Sequence, residues 1–109
     1  MDKINTCLAL DFYGKLLTDK MREIMEFYYF DDLSLAEIAD DVGITRQAVH
    51  DTVRRAGVLL EEYEDKLGLI RRFRKEKNEI EEAIRLLDQD DKDGALMILK
   101  AVREELITE

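Results

Sequence analysis

Leu35-Ala36-Glu37-Ile38-Ala39-Asp40-Asp41-Val42-Gly43-Ile44-Thr45-Arg46-Gln47-Ala48-Val49-His50-Asp51-Thr52-Val53-Arg54-Arg55 sets Ala39, Gly43 and Val49 at the spacing Ala-x3-Gly-x5-Val. Two helices that cross steeply need a small side chain where they approach, and Ala39 supplies it. Gly43 tolerates the positive φ of the turn between them, and Val49 plugs the second helix onto the first. Ile38, Val42, Ile44 and Val53 complete the apolar wedge. With these seven residues committed inward, helical geometry turns Arg46, Gln47, His50, Asp51 and Arg54 outward, with Arg55 at the edge. The stretch therefore reads as a helix-turn-helix. Its second helix opens after the capping hydroxyl of Thr45 and presents a polar, arginine-bearing ridge.

The surrounding chain extends this into an all-α fold. Upstream of the motif, Ser34 and Glu37 stand at capping-box spacing. Met21, Ile24, Met25 and Tyr28 repeat at i, i+3, i+4, i+7, which predicts an amphipathic helix capped by Thr18 and running to about Phe30. Before it, Ile4, Leu8, Phe12 and Leu16 predict a first helix to about Leu17, with Cys7 buried on the same stripe. Downstream, Val49, Val53, Ala56, Leu60, Tyr63 and Leu67 carry the motif's second helix on to Gly68. The basic run Arg71 to Lys77 then opens a fifth helix with an apolar stripe of Ile80, Ile84 and Leu87. A turn over 88–94 leads to a sixth helix marked by Ala95, Leu99, Val102 and Leu106. These elements predict a helix-turn-helix domain over 1–68. They also predict a C-terminal helical extension or hairpin over 69–109, packed on the first part or on a partner chain.

Composition narrows the function. The 109 residues leave no room for a second, enzymatic domain, and the longest apolar runs fall far short of a membrane span, so a cytoplasmic protein without membrane insertion is expected. Seventeen basic against 26 acidic residues leave a net charge of −9, which repels phosphate backbones as a whole, so any nucleic-acid contact has to be local. The candidate contact set is Thr45, Arg46, Gln47, His50, Arg54 and Arg55. The first four sit at the helix N-terminus, where free N–H groups also favour an anion; Arg54 and Arg55 are placed for the backbone. Three arginines displace only about three counterions per protomer, so useful affinity calls for a homodimer.

Other chemistries find no assembled group. Asp91-Lys92-Asp93-Gly94 is out of register for a calcium loop, because with Gly94 at the sixth position Lys100 falls where a bidentate Glu is needed. One histidine and one distant cysteine make neither a zinc set nor a nucleophile pair. The carboxylates of Glu61, Glu62, Glu64 and Asp65 read as a solvated helix face. No metal, cofactor or catalytic residue is expected. Phe27-Tyr28-Tyr29-Phe30 reads as core at the end of a helix in preference to a base-stacking surface, and the basic run Arg71–Lys77 as a solvated face paired with Glu76, Glu79, Glu81 and Glu82 in preference to a contact for phosphate or an acidic partner.

The order of a Leu-Thr pair, an amphipathic helix, Leu33-Ser34-Leu35-Ala36-Glu37-Ile38-Ala39, a turn and an arginine-bearing helix resembles region 4 of bacterial sigma factors. More closely, several segments together resemble the YlxM family of small helix-turn-helix proteins over about residues 8–75. They are Leu10-Asp11-Phe12-Tyr13-Gly14-Lys15-Leu16-Leu17-Thr18, Tyr28-Tyr29, Asp32-Leu33-Ser34-Leu35, Arg46-Gln47-Ala48-Val49-His50-Asp51 and Leu60-Glu61-Glu62-Tyr63-Glu64-Asp65-Lys66-Leu67. The sequence departs from that family at Thr45, where Ser is common, and at His50, where Tyr is common. The resemblance implies a regulatory part in the signal recognition particle pathway, with the particle's GTPase subunit and its small RNA as partners. Two functions are thus expected to compete: a DNA-binding helix-turn-helix regulator, and a protein-interaction adaptor that binds the GTPase or the RNA without sequence-specific DNA binding.

Overall fold

A computed structural model describes residues 1–107 and contains six α-helices, with no strand among the described residues. They are α1 (Lys3–Tyr13), α2 (Asp19–Tyr29), α3 (Leu35–Val42), α4 (Arg46–Leu67), α5 (Leu69–Asp88) and α6 (Lys92–Ile107). The all-helical architecture expected from the periodicity is the one observed. The chain divides into two compact units, Met1–Ile70 and Arg71–Glu109.

In the first unit each helix starts where a side-chain oxygen takes an orphan N–H. Asp2 accepts from the Asn5 N–H and Thr18 from the Met21 N–H, and Thr45 accepts from the Ala48 N–H at 3.0 Å. Ser34 and Glu37 close a full capping box. The Ser34 N–H and hydroxyl, both bonded to the Glu37 residue, hold its carboxyl below the usual carboxylate range. Gly43 and Gly68 end α3 and α4 with φ of +76° and +65°, a region where a Cβ is strained.

Two apolar clusters hold these helices. One joins Ala9, Leu10, Tyr13 and Leu17 to Met25, Ala56, Leu60 and Ile70. The other joins Ile24 to Ile38, Ala39 and Val49. The first helix corrects its expected stripe. Ile4, Phe12 and Leu16 are exposed, and Thr6, Ala9, Leu10 and Tyr13 face inward instead. Small Ala9 lets the backbone approach, and Tyr13 fills the space with a ring and brings a hydroxyl that has partners. Helix α1 also stops at Tyr13 and tightens into a 3-10 turn over Gly14–Leu16, short of the predicted end at Leu17. Cys7 is half-buried, not buried, with its Sγ 3.9 Å from the Tyr29 carbonyl oxygen. At the far end of α4, Leu67 is exposed although the heptad-like stripe included it.

The break at Gly68 is clamped by a buried hydroxyl. Tyr13 donates to Glu64 Oε1 at 2.6 Å and accepts from the Leu69 N–H at 3.0 Å, while the same Glu64 oxygen accepts from the Ile70 N–H at 2.9 Å. Two N–H groups at the start of α5 are thereby satisfied. Tyr13→Phe leaves the Leu69 N–H without its partner and takes a donor from a carboxylate. Because hydrogen bonds to charged groups contribute about 1.5–3 kcal/mol, a loss of about 2 kcal/mol is expected in urea denaturation followed by circular dichroism.

In the second unit, α5 and α6 form a hairpin whose turn is closed by the Asp91 N–H bonding to the Leu86 carbonyl, with Asp90 at φ +61°. Asp91 then caps α6 by accepting from the Gly94 N–H. Lys75 pairs with both Glu79 and Glu105, and Arg72 pairs with Glu76 at 3.2 Å, so the basic opening of α5 is met by acids at helical spacing. Among the described residues of this unit, Ala83, Ala95 and Val102 are buried. The expected stripe of Ile80, Ile84 and Leu87 is exposed.

Candidate nucleic-acid interface

The α3–α4 pair is built from the motif's apolar residues. Ile38, Ala39 and Val49 are buried together with Ile24 of α2, and Val42, Ile44 and Val53 pack against them half-buried. Gly43 is different. It lies exposed in the turn, where its contribution is conformational: its N–H and that of Ile44 both bond to the Ala39 carbonyl, at 2.9 and 3.2 Å. The turn therefore redirects the chain within three residues and aims the start of α4 outward.

On α4 the outward face carries Arg46, Gln47, His50, Arg54 and Arg55, all exposed. None of the three arginines takes part in an ion pair among the described residues. By contrast Arg22, Arg72 and Arg85 are all paired with acids on their own helices. Thr45 is exposed too, but its hydroxyl oxygen is engaged in capping. Asp51 sits among the candidates: Gln47 Nε2 donates to its Oδ1 at 3.1 Å, and His50 Nδ1 lies 3.8 Å from the same oxygen. That carboxylate holds the Gln47 amide and subtracts one charge from the ridge.

Two neighbouring features join this surface, one that spacing did not show and one that the sequence reading set second to core. Leu35 shares a shallow depression with Arg46, Gln47 and His50. Tyr28 and Tyr29, read from the sequence as core, do pack edge-to-face at 5.0 Å, but they also line a groove of about 320 Å³ with His50, Arg54 and Gly57. Phe30, the last of that aromatic run, is exposed and so departs from the core reading. The aromatic run was the available signal, and only the position of α2 beside α4 shows which ring edges meet the ridge.

Gly57 lies inside α4, and a Cβ built on it meets nothing within 4 Å. A glycine in a helix interior costs roughly 0.5–1 kcal/mol relative to alanine. Gly57→Ala is therefore expected to raise stability by about that amount, read as a rise in the thermal midpoint. An unchanged or lower midpoint would show a constraint at this position that the fold itself does not impose.

No described helix is long and apolar enough to cross a membrane. Comparison with known proteins matches residues 2–100 to the model of the UPF0122 family, described as "Putative helix-turn-helix protein, YlxM / p13 like". The chain is similar to the UPF0122 protein of Desulforamulus reducens, 51% identical over 86 residues, covering 79% of this chain and 72% of that protein. It is also similar to one from Symbiobacterium thermophilum, 43% identical over 98 residues, covering 90% and 92%. A third, from Shouchella clausii, is 48% identical over 80 residues, covering 73% of each. With the helix-turn-helix geometry in place and the match running over nearly its whole length, the chain belongs to the UPF0122 family of YlxM / p13-like helix-turn-helix proteins.

Proposed function

We propose that this protein is a cytoplasmic, non-enzymatic regulator that binds nucleic acid as a homodimer. The N-terminal turns of α4 enter the major groove, and Thr45, Arg46, Gln47, His50, Arg54 and Arg55 form the contact set. The observation that carries this reading is the set of three arginines exposed on one face of α4, without an ion pair among the described residues, in a chain of net charge −9. Three cations gathered on one solvated ridge make a local positive site for an anion in a chain that otherwise repels phosphate. Gln47 and His50 supply the hydrogen-bonding groups that read base edges. The regulator acts in the signal recognition particle pathway in this reading, which the resemblance to the YlxM family supports, with the particle's small RNA as the alternative nucleic acid.

A second reading is favoured by the first 68 residues, in which 15 acids oppose 8 bases. In it the same fold is an adaptor that binds the particle's GTPase subunit through acidic surfaces. A salt series separates the two. Fluorescence anisotropy with labelled duplex DNA and with the particle RNA, side by side, is expected to give a log–log slope of about −5 for six arginine–phosphate contacts per dimer. A slope near zero with both would leave only the adaptor.

A further inference from the structure

The groove beside the ridge on α4 has no part in reading an unbroken duplex. It holds about 320 Å³, and its walls are Tyr28 and Tyr29 at the end of α2 and His50, Arg54, Gly57 and Glu61, which follow along α4 every three or four residues. The core fixes its floor. Tyr28 packs on the cluster of Ile24, Ile38, Ala39 and Val49, Tyr29 on that of Ala9, Tyr13 and Ala56, and Val53 on both. The groove is thus the seam between two packed clusters, and closing it would move both. The two rings stay half-buried, so part of each is open to a ligand. Gly57 supplies the depth. It lies inside the helix without a positive φ, and a Cβ built on it meets nothing within 4 Å, so neither conformation nor packing in the fold calls for glycine. A helix-interior glycine that the fold does not require suits close approach of a ligand to the backbone.

The groups around this space select its occupant. Its volume is near the lower end of the range for small-molecule sites, so it holds one flat ring system and not an extended chain. Tyrosine rings suit the faces of such a ring, while Glu61 and His50 put an acceptor and an imidazole at its edges. The Met1 ammonium bonds to Glu61 at 2.8 Å, which offsets the repulsion of that carboxylate for an anion. Arg54, exposed and without an ion pair among the described residues, stands where the ridge meets the groove and offers a cation to a phosphate. A flat ring with hydrogen-bonding edges and a phosphate attached is a nucleotide whose base has left the stack. We propose that the groove receives one unpaired nucleobase, with the adjoining phosphate on Arg54, so that the preferred target is a duplex interrupted by an unpaired nucleotide. The proposal rests on the nucleic-acid reading and names the substrate class within it. A bulged base enters at less cost than a paired one, which first has to leave its stack.

The test uses the full chain in fluorescence anisotropy at one salt concentration, with three labelled hairpins: fully paired, carrying a single bulged adenosine, and carrying an abasic sugar at the bulge. Each is made as DNA and as RNA. The abasic hairpin keeps the distorted backbone and lacks the base. Stacking of a base on an aromatic side chain corresponds to about 5- to 150-fold in affinity. The bulged hairpin is therefore expected to bind roughly tenfold or more tightly than the other two, and the backbone in which it does so names the source as DNA or RNA. Gly57→Leu fills the space with a better helix former and is expected to bring the bulged hairpin down to the level of the paired one. Because a filled groove can disturb its surroundings, a second pair of variants acts on one ring: Tyr28→Leu keeps apolar bulk and is expected to lose the preference, and Tyr28→Phe to retain it. A wild type that binds the bulged hairpin no better than the paired or the abasic one overturns the groove and leaves the nucleic-acid reading to its own salt series. A preference that survives Gly57→Leu or Tyr28→Leu does the same. Failure to bind any hairpin overturns the nucleic-acid reading and this inference with it.

Discussion

Arg46→Ala combined with Arg54→Ala is expected to weaken duplex binding on the order of a thousandfold at about 100 mM salt. Each arginine–phosphate contact contributes about 0.9 to the log–log salt slope, and that same increment is close to one decade of affinity at this ionic strength. Two side chains per protomer remove four contacts from a dimer, so the slope is expected to fall from about −5 to about −2. The fold is indifferent to the change, since both side chains are exposed, make no ion pair, and alanine is the best helix former. Circular dichroism should therefore superimpose with wild type. Binding of a protein partner through acidic surfaces should survive, which separates the regulator from the adaptor. Anisotropy titration across the salt series is the measurement. A loss below tenfold with an unchanged slope would remove α4 from the interface.

What could be read without coordinates follows from how local each signal is. Ser34 with Glu37, Gly43, Thr45 and Gly68 act within one turn of themselves, through caps and a positive φ, so their positions in the sequence state their structural roles directly. The wedge of Ile38, Ala39 and Val49 is nearly as local, because the two helices are joined by a three-residue turn. Helix α1 is the opposite case. Its neighbours Met25, Ala56 and Leu60 are far along the chain, and two stripes of helical period compete on it. Size favours Ile4, Phe12 and Leu16; packing selects Ala9 and Tyr13, because the site beside α4 needs one close approach and one ring whose hydroxyl reaches Glu64 and Leu69. The stripe of Ile80, Ile84 and Leu87 was legible as apolar, but periodicity does not name the surface that covers it. The same limit applies to the candidate interface: the ridge on α4 follows from spacing, whereas the approach of Tyr28 and Tyr29 to His50 and Arg54 depends on tertiary placement.

The largest stability effect is expected at Ile38. This side chain is fully buried at the point where α2, α3 and α4 meet, against Ile24, Ala39 and Val49, with Phe27, Leu33 and Val42 around the rim. Ile38→Ala removes the methylenes and leaves a cavity in a cluster of only four buried residues. Collapse is limited there, because Ala39 already holds the helices at close approach and the Ser34–Glu37 box fixes the start of α3. Truncations of this kind cost about 2–5 kcal/mol, and a unit of this size has only about 4–10 kcal/mol in total. A fall of roughly 10–30 °C in the thermal midpoint is expected. Val58→Ala, on the exposed side of α4, should cost less than about 0.5 kcal/mol and serves as the control. The effect also reaches function. At temperatures where the variant remains folded, α3 loses the plug that sets it against α4, so nucleic-acid affinity should fall further than the folded fraction accounts for. A thermal shift comparable to that of Val58→Ala would mean that this junction does not hold the helix pair, and the ridge of Arg46, His50 and Arg54 would lose its structural footing.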